Sequence, residues 1–257
     1  MFRTRIFICT VLVAVCICFT DVQADMLDLT TAGAFGDLNG AWFYEAHAAS
    51  TGTGLIQSFV RVQAKGVEEG YNTDFRPFAY NELNSATFTH SLLLSSVPIV
   101  RLDGTDYREF LLDINENGPG TMLSLDEIKI YQGTTGNRSG LISTWEDTPV
   151  YDMDAGSEGD SWIKLNYELN SGSGSGDMYA YIPDSLFRSN PEDINYLGDY
   201  LYLYSKFGLN FTSVAGPEEW AVRKGVGVDT MVVPAPAAWL IGILGLGVAG
   251  LKLRKLA

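Results

Sequence analysis

Apolar and polar residues alternate along most of the chain with a period of two rather than 3.6. Between Ser161 and Leu169, the apolar residues Ile163, Leu165 and Tyr167 alternate with polar ones. Successive side chains of a strand point to opposite faces, so this pattern predicts a strand with one face in the core and one in water. Similar patterns, bounded by Gly, Asn, Asp, Ser or Pro, occur at 58–63, 92–94, 97–102, 107–114, 123–131, 178–182 and 199–205.

No segment has the pattern of an amphipathic helix. About eight to eleven short strands with turn residues between them predict an all-β fold, a two-sheet antiparallel β-sandwich of the jelly-roll type. Residues 25–228 are long enough to form it as one domain. The polar and aromatic segment 66–82 and the Gly/Ser-rich segment 171–176 are predicted to be loops within that domain rather than boundaries.

The N-terminal 24 residues have a different pattern from the rest of the chain. A short basic start is followed by an apolar run at 6–19, and Val22 and Ala24 occupy the small-residue positions of a cleavage site. This order is typical of a signal peptide. We therefore predict that residues 1–24 are removed and that the exported chain begins at Asp25.

The C-terminal segment 229–257 contains a second long apolar run. Residues 232–251 include no ionisable side chain, and about 20 apolar residues at 1.5 Å rise each suffice to cross a hydrocarbon core of ~30 Å. They predict one C-terminal transmembrane helix. Lys252, Arg254 and Lys255 follow directly, and such a basic cluster stops transfer and keeps a short tail in the cytoplasm.

Four residues at the start of this span form a short motif: Val233, Pro234, Ala235 and Pro236. Motif, Gly- and Leu-rich span and basic end in this order resemble the PEP-CTERM sorting signal of Gram-negative bacteria, although Ala235 stands where the commonest form has Glu. The resemblance implies processing by an exosortase-type membrane enzyme. It also implies export across the inner membrane, anchoring by the C-terminus, and then a place at the cell surface or in an exopolysaccharide matrix such as a biofilm. An ordinary stop-transfer anchor is the alternative.

Cysteine content and charge indicate whether the exported body has disulfides and which classes of partner it can bind. All three cysteines, Cys9, Cys16 and Cys18, lie in the signal peptide, so the body has no disulfide. Between the two targeting segments lie 30 acidic and 12 basic residues, a net charge of −18. Such a surface repels nucleic acid and anionic lipid, whereas divalent cations and neutral glycans remain candidate partners.

Two acidic segments carry oxygen ligands at a spacing that suits Ca²⁺. Residues 113–118 match the first half of an EF-hand loop, but the twelfth position is Ser124, and a hairpin turn is the simpler interpretation. In 152–160 several carboxylates are close enough in sequence to share a cation, and a solvated turn is the simpler alternative. A structural Ca²⁺ is the one cofactor considered, with the candidate ligands Asp113, Asn115, Asn117, Asp152, Asp154 and Asp160.

Tyrosines at alternate positions would form rows on one face of a strand. If exposed, such rings stack on sugar faces; the favoured alternative is that they pack against their neighbours as cross-strand pairs. The candidates for glycan stacking are Tyr179, Tyr181, Tyr200, Tyr202 and Tyr204.

Catalytic motifs are sparse. The chain has two histidines, His47 and His90, and no Gly-x-Ser-x-Gly motif. A pair of acids such as Asp113 and Asp126 could serve glycoside hydrolysis, but many such pairs arise by chance in an acidic chain. We therefore predict an exported structural or glycan-associated protein rather than an enzyme; a secreted glycoside hydrolase on a β-sandwich is the alternative.

Overall fold

The computed structural model describes residues 25–46, 56–116, 121–155, 159–171, 176–188, 190–214 and 216–224. The first eight strands are β1 (Met26–Asp28), β2 (Phe35–Leu38), β3 (Ala41–Glu45), β4 (Ile56–Val62), β5 (Lys65–Gly66), β6 (Glu68–Tyr71), β7 (Leu92–Leu93) and β8 (Ile99–Leu102). The others are β9 (Thr105–Asp113), β10 (Met122–Gly133), β11 (Tyr151–Asp152), β12 (Trp162–Asn166), β13 (Met178–Pro183), β14 (Tyr200–Phe207), β15 (Ser213–Val214) and β16 (Glu218–Arg223). Short 3-10 helices occur at Leu94–Ser96, Ile142–Thr144, Tyr167–Leu169 and Asp184–Leu186.

Two large sheets form the framework. The first sheet has the order β1-β12-β10-β14-β6, with β11 paired to β10 and β7 paired to β14. The second sheet has the order β2-β3-β13-β9-β16-β4, with β8 paired to β9, and β5 and β15 form a separate two-stranded ladder. Apart from β1 and β12, which run parallel, the paired strands of both large sheets are antiparallel.

The inward residues of both sheets share one core, the arrangement of a β-sandwich. Leu203 of the first sheet and Phe110 and Trp220 of the second all belong to it and are buried. The all-β prediction is confirmed, and no α-helix occurs in the residues that the structure describes. One edge pair departs from the antiparallel arrangement, because Met26 of β1 pairs with Trp162 of β12 in parallel.

Several strands lie where the alternation of residues did not predict them. The segment 66–82, expected to be a loop, contains β6. The pattern missed it because the inward positions of β6 are Glu68 and Gly70, not apolar residues. The pattern also missed β3, because Trp42 and Tyr44 make its outward face aromatic while Phe43 fills the core.

Several predictions fall outside the described residues. These are the signal peptide at 1–24, the C-terminal helix, the motif Val233 to Pro236, the basic cluster Lys252, Arg254 and Lys255, and the candidate ligand Asn117. Where the chain is described, none of its helices has the length and apolar character needed to cross a membrane.

Candidate functional site

The outer face of the first sheet carries polar and aromatic side chains from its three central strands. On β14, Leu201 and Leu203 enter the core, so Tyr202 and Tyr204 point outward. On β10 a bulge between Leu125 and Glu127 shifts the register. An extra residue in a strand changes which side chains face the core. After the bulge Ile128 and Ile130 are in the core, whereas Glu127, Lys129 and Tyr131 are on the outer face.

Residues from two distant loops cover part of this face. Trp145 places its ring edge-on to Tyr71 at 4.9 Å, to Tyr131 at 5.0 Å and to Tyr202 at 5.7 Å between ring centroids. Edge-to-face packing of this kind is a favoured arrangement of aromatic rings. We call the covered set the aromatic cluster; its members are Tyr71, Tyr80, Tyr131, Trp145, Tyr202 and Tyr204.

Polar contacts hold the covering loops in place. The Tyr80 hydroxyl accepts a hydrogen bond from the Ile142 N–H at 2.9 Å, so one loop is attached to the other. Trp145 donates from Nε1 to the Ser139 carbonyl at 3.1 Å. The Arg138 guanidinium lies 3.8 Å from the centroid of the Trp145 ring, within the range of a cation–π interaction. The cover over the sheet is thus fixed by several independent contacts.

A cavity of about 550 Å³ lies beside the aromatic cluster. Its size is that of a small-molecule site. The sheet contributes the rings of Tyr131 and Tyr204, and the loops contribute Tyr80 and the apolar side chain of Ile142. The complete lining is Glu69, Tyr80, Glu127, Lys129, Tyr131, Leu141, Ile142, Ser143 and Tyr204.

The charged groups of the cavity are paired with one another. Lys129 forms an ion pair with Glu127 and lies 3.9 Å from Asp152. Burial by itself would lower the pKa of Lys129, but the two carboxylates outweigh it and raise that pKa. The Tyr204 hydroxyl donates to Glu69, and burial raises the pKa of this phenol, so it stays a hydrogen-bond donor at neutral pH. The cavity therefore offers aromatic rings, hydroxyls and charged donors and acceptors together.

The tyrosines predicted as stacking residues are divided between two faces. Tyr202 and Tyr204 are buried in the aromatic cluster, where Tyr204 also lines the cavity, and Tyr200 is half-buried beside them. Tyr179 and Tyr181 lie on the outer face of the second sheet, with ring centroids 5.9 Å apart. The buried rings of Tyr202 and Tyr181 match the packing interpretation better than stacking on a sugar.

In the described parts of the acidic segment, 152–155 and 159–160, backbone N–H groups donate to two of the carboxylates. Asp152 accepts a hydrogen bond from the Asp154 N–H at 3.1 Å, and Asp154 accepts one from the Ser161 N–H at 2.9 Å. Burial is the main reason that the pKa of Asp154 rises to about 6, and the neighbouring carboxylates of Asp152 and Asp160 add to it. These contacts are those of a turn.

The second predicted calcium segment lies at the end of β9. The Asn115 side chain donates to Asp113 at 3.2 Å and to the Pro217 carbonyl at 3.1 Å, which attaches the segment to the start of β16. Within the described ranges, no group of three His, Cys, Asp or Glu side chains is arranged to hold a metal ion. The calcium assignments of both segments stay predictions.

The acid pair considered for hydrolysis is separated by the fold. Asp113 belongs to the second sheet and Asp126 to the first. Asp126 accepts hydrogen bonds from the Leu209 N–H at 2.7 Å and from Asn210 Nδ2 at 2.9 Å, so its carboxylate anchors the loop after β14. Its contacts are those of a structural residue.

Of the residues that line the cavity, sequence reasoning named only Tyr204. Among those that it missed are Glu69 and Tyr80, and it also missed Trp145 in the neighbouring aromatic cluster. Glu69 belongs to the strand that the alternation did not predict, and the other two lie in loops where periodicity carries no information. The one sequence signal is a high density of aromatic residues in the polar segment 71–88, which contains Tyr80. The segment before Trp145 has no comparable signal.

Comparisons with protein-family models, with curated proteins and with solved structures gave no significant match for this chain.

Proposed function

We propose that the protein is an exported cell-surface or matrix protein that binds a saccharide in the cavity beside the aromatic cluster. The observation that supports this most directly is the lining itself. Tyr80 offers a half-buried ring and a hydroxyl, the buried Tyr204 borders the cavity, and Glu69, Glu127 and Lys129 offer charged hydrogen-bonding groups. A sugar has apolar ring faces and many hydroxyls, and such a mixed lining is complementary to both.

The strand order supports a jelly-roll fold for this binding domain. Eight strands, β4, β6, β9, β10, β12, β13, β14 and β16, give the sheet orders β4-β16-β9-β13 and β6-β14-β10-β12. Consecutive strands of this series lie in different sheets, except β10 and β12, which pair with each other in the first sheet. Jelly rolls occur in lectin domains among others. A fold does not by itself determine a function, so saccharide binding is inferred from the cavity.

The sequences at the two ends of the chain support the proposed location at the cell surface or in the matrix. We propose that residues 1–24 direct export and that the PEP-CTERM-like segment 229–257 anchors the protein in the membrane until an exosortase-type enzyme processes it. Replacing Pro234 and Pro236 by Ala should retain insertion, which depends on the apolar span, but block release. Fractionation and mass measurement in hosts with and without exosortase test this; the same full-length membrane product in both hosts would reduce the segment to an anchor.

Binding of the purified protein to immobilised oligosaccharides tests the cavity. The wild type should bind at least one saccharide, and Tyr80→Ala and Lys129→Ala should each weaken that binding about tenfold, which corresponds to the loss of one good contact. Trp42→Ala, a change on the outer face of the second sheet, is the matched control and should bind normally.

Two outcomes would contradict the proposal. If the wild type binds no saccharide, the cavity has another role. If only Trp42→Ala weakens binding, the site lies on the second sheet instead.

A further inference from the structure

Three glutamates from distant parts of the chain meet inside the sandwich. Glu68 belongs to β6, Glu116 follows β9, and Glu218 begins β16. Their exposed fractions are 0%, 2% and 0%, so all three carboxyl groups are removed from water. Glu218 occupies an inward position two residues before Trp220, where a core strand ordinarily carries an apolar side chain. We call these residues the glutamate cluster.

The carboxyl groups of the glutamate cluster have few hydrogen-bond donors. Glu68 accepts from the Ala64 N–H, and Glu116 accepts from the Val214 N–H at 2.9 Å. Glu68 and Glu218 are hydrogen-bonded to each other through their side chains, which requires one shared proton.

The Ser213 hydroxyl lies near Glu68 and Glu116, and the Asn115 N–H lies near Glu218. Within the described residues, four of the six carboxylate oxygens nevertheless make no hydrogen bond of ordinary geometry: Glu68 Oε1, Glu116 Oε1 and both Oε1 and Oε2 of Glu218. A single shared proton bridges two oxygens at most, so two or more of them still lack such a bond. Glu218 is fully buried, and both of its oxygens are among these four.

Such a cluster is costly without a positive charge. A buried carboxylate is stable only when it is paired, hydrogen-bonded or neutralised. The ion pairs among the described residues involve other acids, such as Glu109 and Glu219, and none involves the glutamate cluster. Burial raises the pKa of all three carboxyl groups, and the neighbouring glutamates raise those of Glu116 and Glu218 further.

We propose that Glu68, Glu116 and Glu218 together bind one divalent cation inside the sandwich, and that this cation is Ca²⁺. The donors are all hard oxygens, whereas Zn²⁺ would favour nitrogen or sulfur ligands. Ca²⁺ accepts carboxylates in flexible geometry, and Mg²⁺ gives up its waters reluctantly, which disfavours a dry site. No three acidic, His or Cys side chains of the described residues already have the arrangement of a metal site. Binding therefore replaces the Glu68–Glu218 hydrogen bond and draws the three carboxylates together.

The surrounding backbone indicates what the ion would do. The ladder of β5 and β15 pairs Lys65 with Val214, next to the two segments that donate to the cluster. At Gly216 a Cβ atom would overlap the Asn115 carbonyl oxygen, so the chain before β16 passes directly against the chain after β9. A cation at the glutamate cluster would hold these three segments together. This site is separate from the saccharide cavity, and either proposal can fail alone.

The metal content and thermal stability of the full-length protein test this proposal. Purified in buffer with CaCl₂ and then desalted, the wild type should contain about one Ca²⁺ per chain by elemental mass spectrometry. Unfolding in EDTA and refolding should remove the ion. Adding CaCl₂ at about 100 times its dissociation constant should then raise Tm by roughly 5–10 °C through mass action.

Glu218→Gln is the decisive variant, because glutamine has the shape of a protonated glutamate and should fold. It should lose the bound Ca²⁺ and the Tm response, and Glu116→Gln should do the same. Asp154→Asn, in the acidic loop 152–160, is the matched control and should keep both. The proposal is wrong if the wild type contains no Ca²⁺ and its Tm is the same in EDTA and CaCl₂. It is equally wrong if Asp154→Asn removes the Tm response while Glu218→Gln keeps it.

Discussion

The outer faces of the two large sheets both carry rows of aromatic residues, but they differ in what packs against those residues. On the first sheet, Tyr131 and Tyr202 lie beneath Trp145, which comes from a loop, and a cavity lies beside them. On the second sheet, Trp42 and Tyr44 are half-buried and lie against each other, with ring centroids 6.2 Å apart.

Charges are also placed differently on the two faces. On the second sheet, Arg223 pairs with the buried Glu109, next to Tyr179 and Tyr181. On the first sheet, Lys129 and its acidic partner line the cavity. Tyr occurs at alternate positions in both β13 and β14, so this pattern does not predict whether a face will hold a cavity. Loops from elsewhere in the chain decide that.

The largest effect is expected from removing the cation of the second face. Arg223 donates to both oxygens of Glu109, with 2.7 Å between Nη2 and Oε2. Arg223→Met would leave a buried carboxylate without its partner and should lower the free energy of unfolding by about 3–5 kcal/mol. Chemical denaturation at neutral pH measures it. The neutral pair Arg223→Met with Glu109→Gln should recover most of the loss, and a single variant as stable as the wild type would show that the ion pair is dispensable.

An intermediate effect is expected from removing the cover of the first face. Trp145 contacts three tyrosine rings, whereas Trp42 contacts Phe35 and Tyr44 at 6.1 and 6.2 Å. Trp145→Ala should therefore cost about 2–3 kcal/mol, less than a fully buried tryptophan, and Trp42→Ala about 1 kcal/mol. Thermal unfolding of the two variants side by side measures the difference. Equal losses would show that Trp145 over the first face stabilises the protein no more than Trp42 does on the second face.

The smallest effect concerns pH and Asp177, which precedes β13 on the second sheet. Burial raises its pKa to about 9 from an ordinary value of 3.8, and Asp113 and Glu45 add to the shift. The folded protein thus retains the proton that the unfolded chain releases. The stabilisation is complete below about pH 4 and is lost as the pH rises through 9.

Asp177→Asn carries no charge and should be more stable than the wild type by about 1–2 kcal/mol at pH 5, about one unit above the unfolded pKa, with little difference at pH 3. Denaturation curves at both pH values measure it. Lys129→Gln, on the first face, is the control, and its effect on the free energy of unfolding should not increase with pH in this way. Parallel pH curves for Asp177→Asn and the wild type would show that Asp177 is ionised at no cost.

Strands with a regular alternation of apolar and polar residues were predictable from the sequence, whereas most residues of the candidate site were not. The segment 123–131 lies within β10, and 199–205 overlaps the start of β14. Inward Leu and Ile residues repeat at every second position in β14 and on either side of the bulge in β10. Tyr204 was accordingly named as a candidate site residue. Tyr80 and Trp145 were not, since nothing local shows that two loops far apart in sequence fold over the same sheet.

Local properties of the chain determine the all-β class, the acidic character of the body and its lack of disulfides. A period of two is a property of neighbouring residues, and charge and cysteine content need no structure at all. Only the tertiary structure decides that Trp145 covers Tyr202, and that Glu68, Glu116 and Glu218 meet in the core. Such contacts join residues distant in sequence. They depend on which strands pair and which loops cross them, and neither can be predicted from periodicity along the chain.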